Sequence, residues 1–188
     1  LVHSRDEAVA AAAEFGGSVA LKVVAPSALH KSDVGGLALD VKGEAEVAAA
    51  YDKVSAVAPD VQGVFVQEFV KGGHEVIVGM AEDPAFGPLI AFGLGGVFVE
   101  LIQDVSFRMN PIADNDVDEM ISEVKAARML QGYRGGPPGD IPALKELMQR
   151  LSALVEEVPE IVELDLNPVK VLEPGKGAVV VDSRMRVR

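Results

Sequence analysis

The chain contains no cysteine and no tryptophan among its 188 residues, and aromatic residues make up only 5% of it. The lack of cysteine excludes disulfides, thiolate metal sites and a cysteine nucleophile, and it agrees with a reducing, cytoplasmic environment. Apolar residues reach 49%, but charges, glycine or proline interrupt every apolar stretch. Because a membrane-spanning helix needs about 20 consecutive apolar residues, we expect no membrane segment.

Basic residues are also scarce, since 17 Lys and Arg oppose 29 Asp and Glu and give a net charge of −12. Such a chain repels nucleic-acid phosphates, so we expect no nucleic-acid partner. The length suffices for one large domain or two small lobes. The chain begins at Leu1 with a capped amphipathic segment that does not resemble a leader peptide, so we expect it to be part of a longer protein.

Hydrophobic periodicity and turn residues predict four helices and seven strands. The helices are predicted at 4–15, 44–57, 117–129 and 141–158, and the strands at 19–24, 37–41, 63–70, 75–80, 89–92, 161–172 and 178–187. The elements alternate without a strict βαβ rhythm, which favours an α+β fold over a doubly wound parallel sheet. Strands 63–70 and 75–80 are joined by a short turn with two glycines, so we expect them to pair as antiparallel neighbours. A boundary near residue 80 predicts two lobes, 1–80 and 81–188, with a cleft between them.

The last two strands form a predicted terminal hairpin whose register can be derived from its turn. If residues 173–176 form a four-residue loop, Leu172 faces Gly177, and Asn167 then faces Asp182. An amide oxygen and a carboxylate at this separation are ligands that Mg²⁺ takes from a protein, while phosphates and waters fill its other positions. The hairpin is therefore a candidate metal site.

The same register places Asp165 opposite Arg184 and Glu163 opposite Arg186. This pattern is equally typical of a solvated strand face with two cross-strand ion pairs, which are common and weak on protein surfaces. On the residues alone, both interpretations of the polar ladder stay open.

Residues 29–36 form a loop segment that contains two glycines, Lys31 and Ser32 around His30. Exposed backbone N–H groups and a lysine suit an anion, and a histidine nitrogen can accept a phosphoryl group. A single loop histidine is more often a solvated or hydrogen-bonded residue. Composition by itself therefore leaves the role of His30 undecided.

Several other charged or glycine-rich positions have both a functional and a structural interpretation. Lys22 lies inside an apolar strand, where a buried ammonium needs an anionic ligand, an internal carboxylate or access to the sheet edge. Glu68 and Glu75 flank a predicted turn and could be surface charges. Residues 93–96 are too short for a P-loop but could form a turn that faces a phosphate. Arg108 can contact a phosphate or a carboxylate in bidentate geometry.

Seven segments, in their order and spacing, resemble the ATP-grasp portion of ADP-forming acyl-CoA synthetases. They are Leu21-Lys22-Val23, 30–36 from His30 to Gly36, 67–70 from Gln67 to Val70, 75–79 from Glu75 to Gly79, 93–100 from Gly93 to Glu100, 132–135 from Gly132 to Gly135, and 163–168 from Glu163 to Pro168. The resemblance covers nearly the whole chain. It implies an ATP-grasp fold, in which two α+β lobes hold a nucleotide in the cleft between them, with the first lobe lacking some N-terminal residues.

The resemblance also implies a role for each ambiguous residue. The implied contacts with ATP or ADP are Lys22, Glu68, Phe69, Val70, Glu75, Gly95 and Gly96; the implied catalytic residues are His30 and Arg108; and the implied Mg²⁺ ligands are Asn167 and Asp182. His30 matches a phosphohistidine that relays a phosphoryl group between a histidine on the CoA-ligase part and ADP. A neutral imidazole suits this relay, since it is nucleophilic near neutral pH.

The implied activity is phosphoryl transfer between His30 and ADP or ATP, as half of the reaction acyl-CoA + ADP + phosphate ⇌ acid + CoA + ATP. The partners would then be CoA-binding and ligase domains, or a subunit that carries them. An alternative is a regulatory module that senses acyl-CoA or nucleotide and is fused to a protein lysine acetyltransferase domain. A third possibility is a scaffold that uses the fold only to dimerise.

Overall fold

A computed structural model of the chain describes residues 1–27, 35–95 and 104–188. The chain divides into two units, Leu1–Lys71 and Gly72–Arg188. Helices and antiparallel sheets occur in both units, which confirms the predicted α+β class. The division falls at residue 71 and not at the predicted residue 80, because the strand that spans residues 74–83 is hydrogen-bonded within the sheet of the second unit.

The first unit packs two helices against a three-stranded antiparallel sheet of order β2-β1-β3. Its elements are α1 (Arg5–Phe15), β1 (Val19–Val24), β2 (Leu37–Val41), α2 (Gly43–Ser55) and β3 (Gly63–Glu68). Ser4 caps α1, because its hydroxyl accepts a hydrogen bond from the Glu7 N–H at 3.2 Å. The helix ends at Gly16, which takes the left-handed conformation with φ of 62°.

The core of the first unit lies between the sheet and the two helices. Its fully buried members include Val19 and Leu21 of β1 together with Val47 and Val54 of α2. Because successive side chains of a strand point to opposite faces, Lys22 lies on the face away from the helices.

The second unit has a sheet of order β6-β5-β4-β7-β8, with β9 also paired to β7. Its strands are β4 (His74–Asp83), β5 (Gly87–Leu94), β6 (Val105–Met109), β7 (Ile161–Val171), β8 (Ala178–Val180) and β9 (Ser183–Val187); its helices are α3 (Asp114–Glu123) and α4 (Ile141–Glu157), with 3₁₀ segments at Lys125–Gln131 and Tyr133–Gly135. None of the helices within the three described ranges is long and apolar enough to cross a membrane.

One face of the second sheet is covered by α3 and α4. Phe92 and Val78 from the sheet pack there with Met120 of α3 and with Leu144 and Met148 of α4. We call the opposite face the outer face of the second sheet. It carries the β4 residues that alternate with the buried ones, and their partners on β7.

The predicted pairing of strands 63–70 and 75–80 is wrong. β3 pairs with β1 in the first unit, whereas β4 lies between β5 and β7 in the second. The buried Val64 belongs to the first core and the buried Val76 to the second, so the two strands complete different cores. The predicted helix at 117–129 is also shorter, because Val124 leaves the helical conformation with ψ of 110°.

A buried serine on α4 fixes the connection between β6 and α3. Ser152 is 4% exposed, and its hydroxyl donates to the Asn110 side-chain oxygen at 2.7 Å. The same hydroxyl accepts the Ile112 N–H at 3.2 Å. Both hydrogen bonds link this connection to the core helix α4.

Candidate functional site

The terminal hairpin has the register that its turn predicts. The Leu172 N–H donates to the Gly177 carbonyl at 3.0 Å, and five residues further along the strand the Asn167 N–H donates to the Asp182 carbonyl at 3.1 Å. The pairs Asp165–Arg184 and Glu163–Arg186 also face each other. Asn167 therefore lies opposite Asp182, as the sequence indicated.

The charges of this ladder are unevenly distributed. Glu163 and Arg186 form an exposed ion pair of 3.1 Å. Burial raises the pKa of Asp165; the positive charge of Arg184 opposes that rise, and the carboxylates of Glu163 and Asp182 add to it. A cation near Asp165 and Asp182 would relieve the repulsion between carboxylates. The ladder thus contains ion pairs at one end and a carboxylate-rich region beside Asn167.

The chemistry of the donors at Asn167 and Asp182 fits Mg²⁺. Within the described ranges, no group of three or more His, Asp or Glu side chains is placed to hold a metal ion. An ion bound between Asn167 and Asp182 would take one amide oxygen and one carboxylate from the protein. Mg²⁺ is commonly bound in this way, through one or two protein ligands together with substrate phosphates and waters.

Glu75 and Gly95 are in contact on the second sheet. The Gly95 N–H donates to the Glu75 carbonyl at 2.8 Å. Glu75 is paired in register with Lys170 of β7, and the Lys170 ammonium lies 3.2 Å from the Glu75 carboxylate. Asp165, which is paired with Gly79, shares the outer face of the sheet with Glu75 and Lys170. Two predicted nucleotide residues and the carboxylate-rich ladder therefore belong to one region of the second unit.

Lys22 lies in the middle strand of the first sheet and is only 5% exposed. It is paired with Leu37 of β2 and with Phe65 of β3. Burying an ammonium is costly unless a polar or anionic group meets it. The position of Lys22, away from the helix-covered face, therefore suits a contact with an anion.

Residues 68–70 form the end of β3 and the segment that follows it. Glu68 is exposed and pairs with Val19, while Phe69 and Val70 are half-buried. The Phe69 N–H is used within the unit, since it donates to the Ser18 carbonyl at 2.9 Å.

Arg108 lies on the helix-covered face of the second sheet, because it is paired with the buried Ile90. It donates to Glu123 at 2.6 and 3.0 Å and to Glu119 at 3.2 Å. These hydrogen bonds raise the pKa of Arg108. Hydrogen bonds from Arg108 and then Ser106 lower the pKa of Glu123 to about 2. The structure thus does not bring Arg108 together with Glu75 or Asn167, and its observed contacts join β6 to α3.

Two predicted residues, His30 and Gly96, lie outside the described residues. Of the others, the first unit holds Lys22 and residues 68–70, and the second holds Glu75, Gly95, Asn167 and Asp182.

A family model described as the ATP-grasp domain matches residues 1–187. The chain belongs to the ATP-grasp family. The predicted fold is therefore confirmed, together with the family that residues 21–168 resembled.

Similar proteins to this ATP-grasp domain include ADP-forming acetate–CoA ligases. It is 50% identical over 98% of its length to acetate–CoA ligase [ADP-forming] I of Archaeoglobus fulgidus, and it spans 27% of that protein. It is 43% identical, again over 98% of its length, to the beta subunit of acetate–CoA ligase [ADP-forming] II of Pyrococcus furiosus, of which it spans 81%. The chain thus spans about a quarter of the former relative and most of the latter subunit.

A solved structure similar to this ATP-grasp domain is the dinucleotide forming acetyl-coenzyme A synthetase 1 of Ca. Korarchaeum cryptofilum. That structure contains coenzyme A and Mg-AMPPCP, and its phosphohistidine segment points towards the nucleotide binding site. The identity is 45% with a TM-score of 0.86, and the match covers 97% of this chain and 82% of the other.

Sequence reasoning missed two residues around the site of this ATP-grasp domain. Lys170 pairs with Glu75, and Asp140 holds the turn of the terminal hairpin. Asp140 also caps α4, because its carboxylate accepts the Ala143 N–H at 3.2 Å. The proximity of Asp140 to the glycine-rich turn is set by tertiary contacts and has no local signal. Lys170, however, lies on the strand whose register was derived, so its strand position was available from the sequence.

Proposed function

We propose that this ATP-grasp domain binds ADP or ATP with Mg²⁺ and transfers a phosphoryl group between the nucleotide and His30. It would do so as the nucleotide-binding module of an ADP-forming acid–CoA ligase. The observation that supports this proposal most strongly is the hairpin register, in which the backbone of Asn167 pairs with that of Asp182. The relatives at 43–50% identity support the reaction class.

The proposed ligand contacts follow from the chemistry of the side chains. Asn167 and Asp182 would hold Mg²⁺, which when bound neutralises charge on the phosphates. The buried ammonium of Lys22 would contact an anionic part of the nucleotide. The carboxylate of Glu75 can accept hydrogen bonds from ribose hydroxyls, and Lys170 holds that carboxylate in place at 3.2 Å. Backbone groups of 68–70 would align with the adenine.

The proposed chemical step requires a nucleophile that is uncharged near neutral pH. The imidazole of His30 would attack the terminal phosphorus of ATP, so that an N–P bond forms as the P–O bond to ADP breaks. In the direction of ATP formation the same bonds exchange in reverse. Since Arg108 is bound to Glu119 and Glu123, it has no part in this proposal.

The proposed partners are the CoA-binding and ligase parts of the enzyme. This chain matches a separate subunit in Pyrococcus and about a quarter of a longer protein in Archaeoglobus, so the remaining parts could be a second subunit or further domains. A cytoplasmic location, expected from the lack of cysteine, belongs to the proposal. The comparisons give no support to the acetyltransferase-linked regulatory module or to the scaffold.

The metal part of the proposal is tested by calorimetric titration of ADP with and without Mg²⁺. Asp182→Ala should weaken Mg²⁺-dependent binding by about 10- to 100-fold, and Lys22→Ala should weaken binding as well. Glu156→Ala is a matched control, because it removes the same charge from an exposed position on α4. Equal Mg²⁺-dependent affinities for Asp182→Ala and Glu156→Ala would contradict the assignment.

The phosphoryl acceptor is tested separately by ³¹P NMR of the chain after incubation with ATP and Mg²⁺. We expect an acid-labile phosphohistidine signal that is lost in His30→Ala. His3→Ala is the control, since it removes an exposed histidine elsewhere in the first unit. A signal that persists without His30 would show that another residue accepts the phosphate.

A further inference from the structure

The returning strand of the terminal hairpin is weakly held by its own side chains. All five residues of β9 are exposed, and β8 has only three residues, none of which is fully buried. Register is strongly specified only where one face of a strand is buried. A slip by one residue would place Val181 or Ser183 opposite Asn167 in place of Asp182. Something other than the hydrophobic pattern must therefore keep Asp182 opposite Asn167.

Asp140 binds both sides of the turn that joins the hairpin strands. Its carboxylate is part of a residue only 6% exposed, and one oxygen accepts the N–H groups of Gly175 at 2.8 Å and Gly177 at 2.9 Å. The other oxygen caps α4 by accepting the Ala143 N–H at 3.2 Å. The Asp140 N–H donates to the Leu172 carbonyl at 2.7 Å. One residue thus holds Leu172, which directly follows β7, and Gly177, the first position after the turn.

The helix that Asp140 caps, α4, is itself fixed in the second unit. Leu144 and Met148 of α4 are fully buried in the second core, so the N-terminus of α4 has a defined place against the sheet. Ion pairs along and just beyond the returning strand, Glu163–Arg186 and Glu82–Arg188, are exposed and therefore weak.

We propose that Asp140 is a positioning residue that locks the register of the terminal hairpin and thereby holds Asp182 opposite Asn167. This inference rests on the proposed function, since it assigns Asp140 to the metal pair of that same site. The register is continuous from Leu172–Gly177 at the turn through Asn167–Asp182. A contact that fixes the register at the turn therefore also fixes the pairing of Asn167 with Asp182.

The first test separates the two functions of Asp140, which are to cap α4 and to bind the hairpin turn. Asp140→Ser should keep the helix cap but is too short to reach Gly175 and Gly177, whereas Asp140→Asn keeps an oxygen that can bind them. Binding of Mn²⁺ in the presence of ADP is measured by electron paramagnetic resonance on the 188-residue chain. We expect Asp140→Ser to weaken Mn²⁺ binding by about 10- to 100-fold and Asp140→Asn to recover part of the loss. Ser152→Ala, which removes another buried hydrogen-bonding group from α4, should leave Mn²⁺ binding unchanged.

The second test measures register directly, since the chain has no cysteine of its own. Glu163→Cys with Arg186→Cys places a facing pair that can form a disulfide in the native register. We expect the disulfide to form readily when Asp140 is present and more slowly in Asp140→Ser. Once formed, it should restore Mn²⁺ binding to Asp140→Ser, because the register is then locked covalently.

Three results would overturn the proposal. They are wild-type Mn²⁺ affinity in folded Asp140→Ser, wild-type rates of disulfide formation in that variant, and a formed disulfide that restores no binding. If Asp140→Ser does not fold, Mn²⁺ affinity and the rate of disulfide formation are compared between the wild type and Asp140→Asn. If the wild-type chain binds no Mn²⁺ with ADP, the proposed function fails, and the rate of disulfide formation alone still decides whether Asp140 sets the register.

Discussion

Gly95 offers a direct test of how the end of β5 packs against Glu75. A Cβ atom added at Gly95 would lie 3.1 Å from both the carbonyl carbon and the carbonyl oxygen of Glu75. Gly95 is not among the glycines with positive φ, so alanine can adopt its backbone conformation without strain. The cost of Gly95→Ala is therefore steric, and the atoms in the way belong to a backbone that cannot rotate aside.

The size of the effect follows from that contact. Carbon atoms pack favourably at about 3.5–4.0 Å, so the two backbones must separate by roughly 0.4–0.9 Å. Overpacking of this kind costs about 1–3 kcal/mol. At roughly 4 °C per kcal/mol for a unit of this size, the unfolding temperature should fall by about 4–12 °C. The affinity for ADP with Mg²⁺ should fall too, because the displaced residue, Glu75, carries the carboxylate proposed to bind the ribose.

Thermal unfolding followed by circular dichroism, together with calorimetric titration of ADP, measures both effects. Gly17→Ala is the matched control, since its added Cβ would have only the Phe15 carbonyl oxygen nearby at 3.9 Å. The control should unfold at or slightly above the wild-type temperature. If Gly95→Ala also unfolds at the wild-type temperature, the packing argument is refuted.

Three further predictions concern stability. Ser152→Ala should lower the free energy of unfolding by about 2 kcal/mol in urea titrations, because the buried Ile112 N–H loses its acceptor. Ser4→Ala should lower it by about 1 kcal/mol through loss of the α1 cap, and Ser4→Asp should retain it. Glu123 has a folded-state pKa of about 2, below its ordinary value, because Arg108 and Ser106 donate to it. Its contribution is present above about pH 4.5 and is lost as the pH falls from about 4.5 to 2. Urea titrations across that window should therefore show a steeper loss for the wild type than for Glu123→Gln.

Local patterns were sufficient for the helix start at Ser4 and for the register of the terminal hairpin. A serine followed three residues later by a glutamate specifies a helix cap through contacts within one turn. The four-residue loop at 173–176 specifies which residues face each other, because strand pairing propagates from the turn with a period of two. Asn167 and Asp182 could therefore be paired from the sequence.

Non-local pairing was not accessible in the same way. Strands 63–70 and 75–80 have strand composition and a glycine-rich turn between them, yet they belong to different sheets. A pattern indicates that a strand has an apolar face, but it does not indicate which core receives that face. For the same reason the unit boundary at Lys71 and the strand β6 were missed.

The sequence by itself determined the family, the α+β class, the terminal hairpin and the residue types that a nucleotide and Mg²⁺ would require. Only the tertiary structure decided that Arg108 faces α3 and pairs with Glu123, that Lys170 holds Glu75, and that Asp140 binds the hairpin turn. These contacts join residues between 15 and 95 positions apart. Alternation along a strand fixes the two faces on which side chains lie, whereas the identity of the partner depends on which elements pack together.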